Sequence, residues 1–223
     1  MPNLLPALSL LETRVLGSLA EKERTVPDSY PLTLNALVSG CNQKTSRNPV
    51  IEATETEVQA AVDSLKRYNL VMETSGGRVA RYSHNLQRLL QVPSQSEALL
   101  TVLMLRGPQT AGELRINCER LHHFADISAA EGFLHELAAR PSGPLVVELS
   151  RLPGARENRW AHTLSVAPEP EAEAAEVKLG AEVSLGEVAA LKANVARLEA
   201  ELVALKALVS RVCSEIGIPM KPE

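Results

Sequence analysis

Apolar residues recur at helical spacing in several separate stretches. Leu11, Val15, Leu16 and Leu19 form one stripe, Val58, Ala61, Val62 and Leu65 a second, Leu99, Leu100 and Leu103 a third, and Phe133, Leu134 and Leu137 a fourth. Residues three and four apart share one face of a helix, so each stripe predicts an amphipathic helix. Serine or threonine followed three positions later by glutamate recurs at Ser9/Glu12, Thr54/Glu57, Ser94/Glu97, Thr110/Glu113, Ser128/Glu131 and Ser184/Glu187. This is the pattern of a capping box, in which the two side chains satisfy backbone donors that the first turn of a helix leaves unpaired.

Two segments have a different rhythm. LVMETSGGRVARYSH (70–84) and PLVVELSRLPGARENRWAHTL (144–164) each read as two short strands around a turn-rich tip, with Gly76 and Gly77 at the first tip and Pro153 and Gly154 at the second. Tight hairpin turns need positive backbone φ, which glycine supplies without steric cost. Residues 8–86 and 94–164 thus share one order: helix, short helix, helix, hairpin. The short second helices start at Thr33 and Thr110, each with a leucine four residues on, at Leu37 and Leu114. Three helices followed by a two-stranded wing is the winged-helix plan, a relative of the helix-turn-helix. The expected fold is mainly α with small β-hairpins, as two tandem winged helix-turn-helix domains over 1–92 and 93–165.

Residues 166–182 are rich in alanine, proline and glutamate and read as a flexible linker. A heptad follows over 183–217. Val188, Val195, Leu202, Val209 and Ile216 occupy its a positions, and Leu191, Leu198, Leu205 and Val212 its d positions. β-Branched residues at most a positions with leucine at most d positions favour a parallel two-stranded coiled coil. Glu187 would face Lys192 of a second chain, and Glu201 would face Lys206, which suits parallel pairing. The expected dimer seam is Val188, Leu191, Val195, Leu198, Leu202, Leu205, Val209 and Val212; the alternative is a helix that packs on its own chain.

Composition narrows the class. The 223 residues are 45% hydrophobic and 3% aromatic, with a formal net charge of −4. Residues 1–92 hold 10 lysines and arginines against 9 acids, 93–165 hold 7 against 8, and 166–223 hold 6 against 10. No part has the basic excess expected of a sequence-independent DNA binder. No run approaches the ~18 apolar residues of a membrane span, and the start of the chain lacks the basic and apolar pattern of a secretory signal. Cys41, Cys118 and Cys213 are odd in number and far apart, which argues for a reducing compartment. A cytoplasmic protein without membrane association is expected. No Gly-rich phosphate loop, GxSxG elbow or paired metal-carboxylate cluster is present, so neither catalysis nor a cofactor is expected. Cys118, His122, His123 and Asp126 have some of the spacing of a metal site, but no second cysteine pair or HExxH motif completes it.

The stretch LSLLETRVLGSLAEKERTVPDSYPLTLNALVSGCNQKTSRNPV, with SLKRYNLV, GGRVARYSHN, SEALLTVLMLRGPQTAGELR and RENRWAHTL, closely resembles the bacterial YceH-like family of uncharacterised proteins. The resemblance covers about residues 8–164 and implies tandem winged-helix domains. It brings no activity and no catalytic residues, and it does not extend to the heptad segment.

In a winged helix bound to DNA the third helix enters the major groove and the wing touches the backbone. Here the first third helix opens with Glu55 and Glu57 and carries Asp63, and the second has no lysine or arginine before Arg140. The basic and hydrogen-bonding groups of the first repeat are Lys44, Thr45, Ser46, Arg47 and Asn48 in the preceding loop, Lys66 and Arg67 in the last turns, and Arg78 and Arg81 on the wing. These are the candidate DNA contacts. For the loop, the alternative is a plain connector whose Ser46 and Asn48 bond their own backbone ahead of Pro49. Two functions follow as expectations: a dimeric winged-helix protein that binds double-stranded DNA as a transcriptional regulator, or a scaffold that docks a protein partner without DNA.

Overall fold

The capping pattern at Ser9 sets the first helix. In a computed structural model, which describes residues 6–75, 79–151 and 154–165, Ser9 Oγ accepts from Glu12 N (3.2 Å) and Glu12 Oε2 accepts from Ser9 N (2.6 Å). Helix α1 then runs Leu10–Thr25. Strand β1 (Leu32–Thr33) leads into α2 (Leu34–Cys41), capped by Thr33. Helix α3 (Glu55–Arg67) starts at a second box, Thr54 with Glu57. Strands β2 (Val71–Thr74) and β3 (Arg81–His84) form a hairpin, and β1 joins β3 on its other side, giving an antiparallel sheet ordered β1-β3-β2. Leu32 lies opposite Tyr82 and Val71 opposite His84. The short α4 (Leu86–Leu90) follows, a helix that periodicity did not predict.

The same order then recurs. Helices α5 (Ser94–Arg106), α6 (Ala111–Asn117) and α7 (Ile127–Ala138) precede the antiparallel strands β4 (Val146–Leu149) and β5 (Arg159–His162). The correspondence extends below the level of elements. Gln109, just before the α6 cap Thr110, pairs with Trp160 through backbone bonds of 3.0 and 2.7 Å, as Leu32 before the cap Thr33 pairs with Tyr82. Both aromatic partners are buried. Among the described residues the fold is therefore mainly α, with two small antiparallel sheets.

Two expected boxes do not form. Pro93 precedes α5, which places Ser94 inside the helix and turns Glu97 into the interior. Helix α7 begins one residue before Ser128, with Asp126 Oδ1 accepting from Ala129 N at 2.7 Å. In each case a neighbouring residue took the capping position, so the Ser-to-Glu spacing was fortuitous. The Ser184/Glu187 box, the linker over 166–182 and the heptad over 183–217 lie outside the described residues.

α1 and α5 make the centre. A helix at a surface buries one stripe, but α1 buries every residue from Thr13 to Ala20 and α5 every residue from Ser96 to Leu105. Gly17 permits the close crossing: a Cβ there would lie 3.0 Å from the Leu105 side chain. Leu16 and Leu19 of the first repeat and Leu99, Leu100 and Leu103 of the second belong to one continuous core. Each fully buried leucine contributes roughly 1.5–3 kcal/mol. The repeats are also tied at their ends, where Leu8 N donates to Leu164 O at 2.8 Å.

Candidate functional site

The polar loop between α2 and α3 is closed by one side chain. Asn42 Nδ2 donates to Ala53 O and Asn42 Oδ1 accepts from Ala53 N, both at 2.8 Å. Two arginines then fasten the loop to the interior. Arg14, fully buried on α1, donates through Nη1 to Cys41 O (3.2 Å) and through Nη2 to Pro49 O (2.6 Å). Burial first, and the neighbouring Arg47 charge second, push its guanidinium pKa down. From the loop side Arg47 points inward. Its Nη1 and Nη2 donate to Glu21 Oε1 (3.2 Å) and Oε2 (2.7 Å), and its Nε donates to Gly40 O (3.2 Å). Nη1 further reaches Ser46 O (2.9 Å) and Nη2 reaches Gln43 Oε1 (3.4 Å).

These contacts correct the expectation for Arg47. Its side chain is 0% exposed and all five N–H groups of a guanidinium have protein acceptors, so it offers none to a phosphate. Burial raises the pKa of Glu21, but the Arg47 hydrogen bonds and the charges of Arg47 and Lys22 together hold it below the usual carboxylate range.

The other candidate contacts are dispersed. Lys44, Thr45 and Asn48 are exposed, while Ser46 is half-buried with φ 59° and its Oγ accepts from Arg106 Nη2 at 2.8 Å. Asn48 N donates across to Leu105 O of the second repeat at 2.8 Å. Lys66 is bound to Glu73 on β2, with Asp63 at 3.8 Å, and the Glu73 bond raises its pKa. Arg67 is exposed at the end of α3. Arg81 donates to Pro31 O at 2.7 Å and Ser29 O at 3.4 Å, bracing the approach to β1. Arg78 lies outside the described residues, as does the whole expected dimer seam from Val188 to Val212. Glu55, Glu57 and Asp63 on α3 are exposed, as are Glu131 and Glu136 on α7. Arg140 donates to Leu90 O at 2.6 Å.

Where the loop meets the second repeat lies a cavity of about 190 Å³. Its cationic lining is Lys22 from α1, Arg106 from the end of α5 and Arg120 from the turn after α6. Gln43, Thr45 and Ser46 add polar groups, and Val102, Leu105 and Leu121 form an apolar wall. Arg106 and Arg120 escaped the sequence reading because they lie far along the chain from the loop they join.

Two clusters bear on metal binding. The ligand atoms of Glu23, His84 and Glu97 lie within 4.8 Å of one another. Glu23 Oε2 sits 2.9 Å from His84 Nε2 and Glu97 Oε1 sits 3.4 Å from Nδ1. Leu86 N donates to Nδ1 at 3.3 Å, which leaves Nε2 to donate to Glu23, so both ring nitrogens are engaged within the protein. The second set does not assemble. Cys118 is buried and its thiol is pushed up to about 12 by burial, His122 stacks edge-on to Phe124, His123 pairs with Glu119 and Asp126 caps α7. Cys41 is likewise buried, with its thiol pushed up to about 11. Thiols so protonated are poor nucleophiles.

A mainly helical chain with small antiparallel sheets is the class these features define. The chain belongs to the family described as "Protein of unknown function, DUF480", whose family model matches residues 8–155. It is 63% identical over 206 residues to a UPF0502 protein of Dechloromonas aromatica, covering 92% of this chain and 95% of that one. It is 59% identical over 218 residues to a UPF0502 protein of Methylibium petroleiphilum, covering 97% and 93% of the two chains. No helix among the described residues is long and apolar enough to cross a membrane.

Proposed function

We propose that residues 8–165 form two winged-helix repeats joined along α1 and α5, and that this body docks a protein partner carrying a basic and apolar surface. The observation that supports it is the character of the two third helices. α3 exposes Glu55, Glu57 and Asp63, α7 exposes Ile127, Glu131 and Glu136, and Lys66 is already held by Glu73. Such faces repel the phosphates that a recognition helix must approach, and they complement a cationic protein surface. Met72 on β2, Val79 beside the first hairpin tip and Ile116 on α6 are further exposed apolar groups. In this reading the heptad over 183–217 pairs two chains in parallel, so that two docking bodies act together at raised effective concentration. The protein works in the cytoplasm, and its function is binding without catalysis.

A second reading has its own support. Lys44 is exposed on the loop before α3, and Arg106 and Arg120 line the cavity next to that loop. These cations fit a dimeric winged-helix protein that binds double-stranded DNA, as a transcriptional regulator does, through its loop and not through α3.

Binding of the purified protein to a labelled mixed-sequence duplex across a salt series, with its mass in solution measured alongside, separates the two. The docking reading expects a dimer without salt-sensitive duplex binding. It also expects partner capture that survives nuclease treatment and is lost in a Glu55→Lys/Asp63→Lys variant. Salt-sensitive binding whose slope flattens in Lys44→Ala would overturn it in favour of DNA.

A further inference from the structure

We infer that the cavity between the α2–α3 loop and the second repeat is a binding site for a small phosphate ester. This goes beyond the docking reading and does not depend on it. The charge balance of the lining carries the inference. Lys22, Arg106 and Arg120 line the cavity as cations. Glu21 is the one acid among the lining residues, and it is held bidentately by Arg47 and bridged by Lys22 at 3.2 Å. The Glu21 charge is thereby matched from behind by Arg47, and the three lining cations face the cavity without an equal number of acids.

Arg106 and Arg120 differ from the other arginines near the loop. Arg47 has acceptors for all its donors, and Arg14 is turned inward with both Nη groups on loop carbonyls. Among the described residues Arg106 is bound only through Nη2, to the Ser46 hydroxyl at 2.8 Å, which fixes its direction without neutralising it. Arg120 has no hydrogen bond or ion pair among the described residues. Guanidinium groups bind tetrahedral dianions through paired, charge-assisted hydrogen bonds, and do so more strongly in a recess than in open water.

The cavity sets the size of the ligand. Its volume of about 190 Å³ is far above the ~15 Å³ that one water needs, so a phosphate leaves room for a short organic group. Val102, Leu105 and Leu121 offer that group an apolar wall, and the hydroxyls of Thr45 and Ser46 offer hydrogen bonds. The walls come from both repeats, so a bound ester would also tie the loop to α5 and α6.

Calorimetric titration of the full-length protein at fixed ionic strength tests the site, with inorganic phosphate, glycerol 3-phosphate and acetate as probes. Glycerol 3-phosphate is expected to bind one per chain, severalfold more tightly than inorganic phosphate, and acetate is expected not to bind. Arg120→Gln, on an exposed side chain, is expected to weaken glycerol 3-phosphate about tenfold or more, as loss of a charged hydrogen bond does, with the unfolding temperature unchanged. Arg106→Gln is expected to do the same, and the unliganded unfolding temperature of each variant reports whether its fold is intact. Failure of glycerol 3-phosphate to bind, or equal binding by wild type and Arg120→Gln, would overturn the proposal. A short duplex that binds through Arg120 while the ester does not would overturn it too, assigning the cations to DNA.

Discussion

Arg47 and Lys44 are three residues apart, look alike in the sequence, and have opposite fates. Lys44 is exposed, whereas Arg47 is buried against Glu21. Removing one partner of a buried pair leaves the other charge uncompensated, at a cost of about 3–5 kcal/mol. Urea unfolding should therefore show Arg47→Ala losing about 3 kcal/mol and Lys44→Ala changing by less than about 0.5 kcal/mol. A double-mutant cycle with Glu21→Ala should show strong coupling for Arg47 and none for Lys44. His162 makes the second prediction at this scale. Burial pushes its imidazole from 6.5 to about 4, and its Nδ1 has no hydrogen-bond partner among the described residues. The unfolded chain takes up a proton in that interval and the folded chain does not. The stability His162 contributes is present above pH 6.5 and is lost as the pH falls through about 4, an effect of about 3 kcal/mol. Unfolding free energies measured at pH 7 and pH 4.5 should differ less in His162→Phe than in the wild type.

The helix starts were the most legible elements. Ser9, Thr54 and Thr110 each cap a helix with the glutamate three residues on, because a capping box is a local bargain between neighbours that needs no tertiary partner. Thr54→Ala and Thr110→Ala should each lose about 1 kcal/mol in thermal or urea unfolding. Ser128→Ala should change little, since Asp126 holds that cap. Glu97 shows the limit of the pattern. Its spacing from Ser94 fits a box, yet its Oε2 accepts from Gln87 at 2.6 Å and its Oε1 lies near His84 at 3.4 Å. A residue from β3 and another from α4 decided its role.

At the scale of the whole molecule, the body over residues 8–165 depends on the α1–α5 crossing. Both helices are buried nearly all round and share one core, so residues 8–165 should unfold in one cooperative transition, with near- and far-ultraviolet circular dichroism coinciding. Gly17→Leu places a side chain where even a Cβ lies 3.0 Å from Leu105. It should cost a few kcal/mol in urea unfolding through overpacking. Two separate transitions in the wild type would show that each repeat has its own stability.

By itself the sequence determined the helix stripes, most of the caps, both hairpins and the repeated order of elements, because these rest on interactions within a few residues or on a simple period. It also marked the loop before α3 as unusual. Only the tertiary structure decided that Gly17 packs against Leu105 of the second repeat, that Arg14 turns inward to Cys41 and Pro49 and Arg47 to Glu21, and that Arg106 and Arg120 meet the loop across the cavity. Those relations join residues from about 25 to more than 70 positions apart. A polar side chain carries no local mark of whether water or a buried carboxylate will satisfy it.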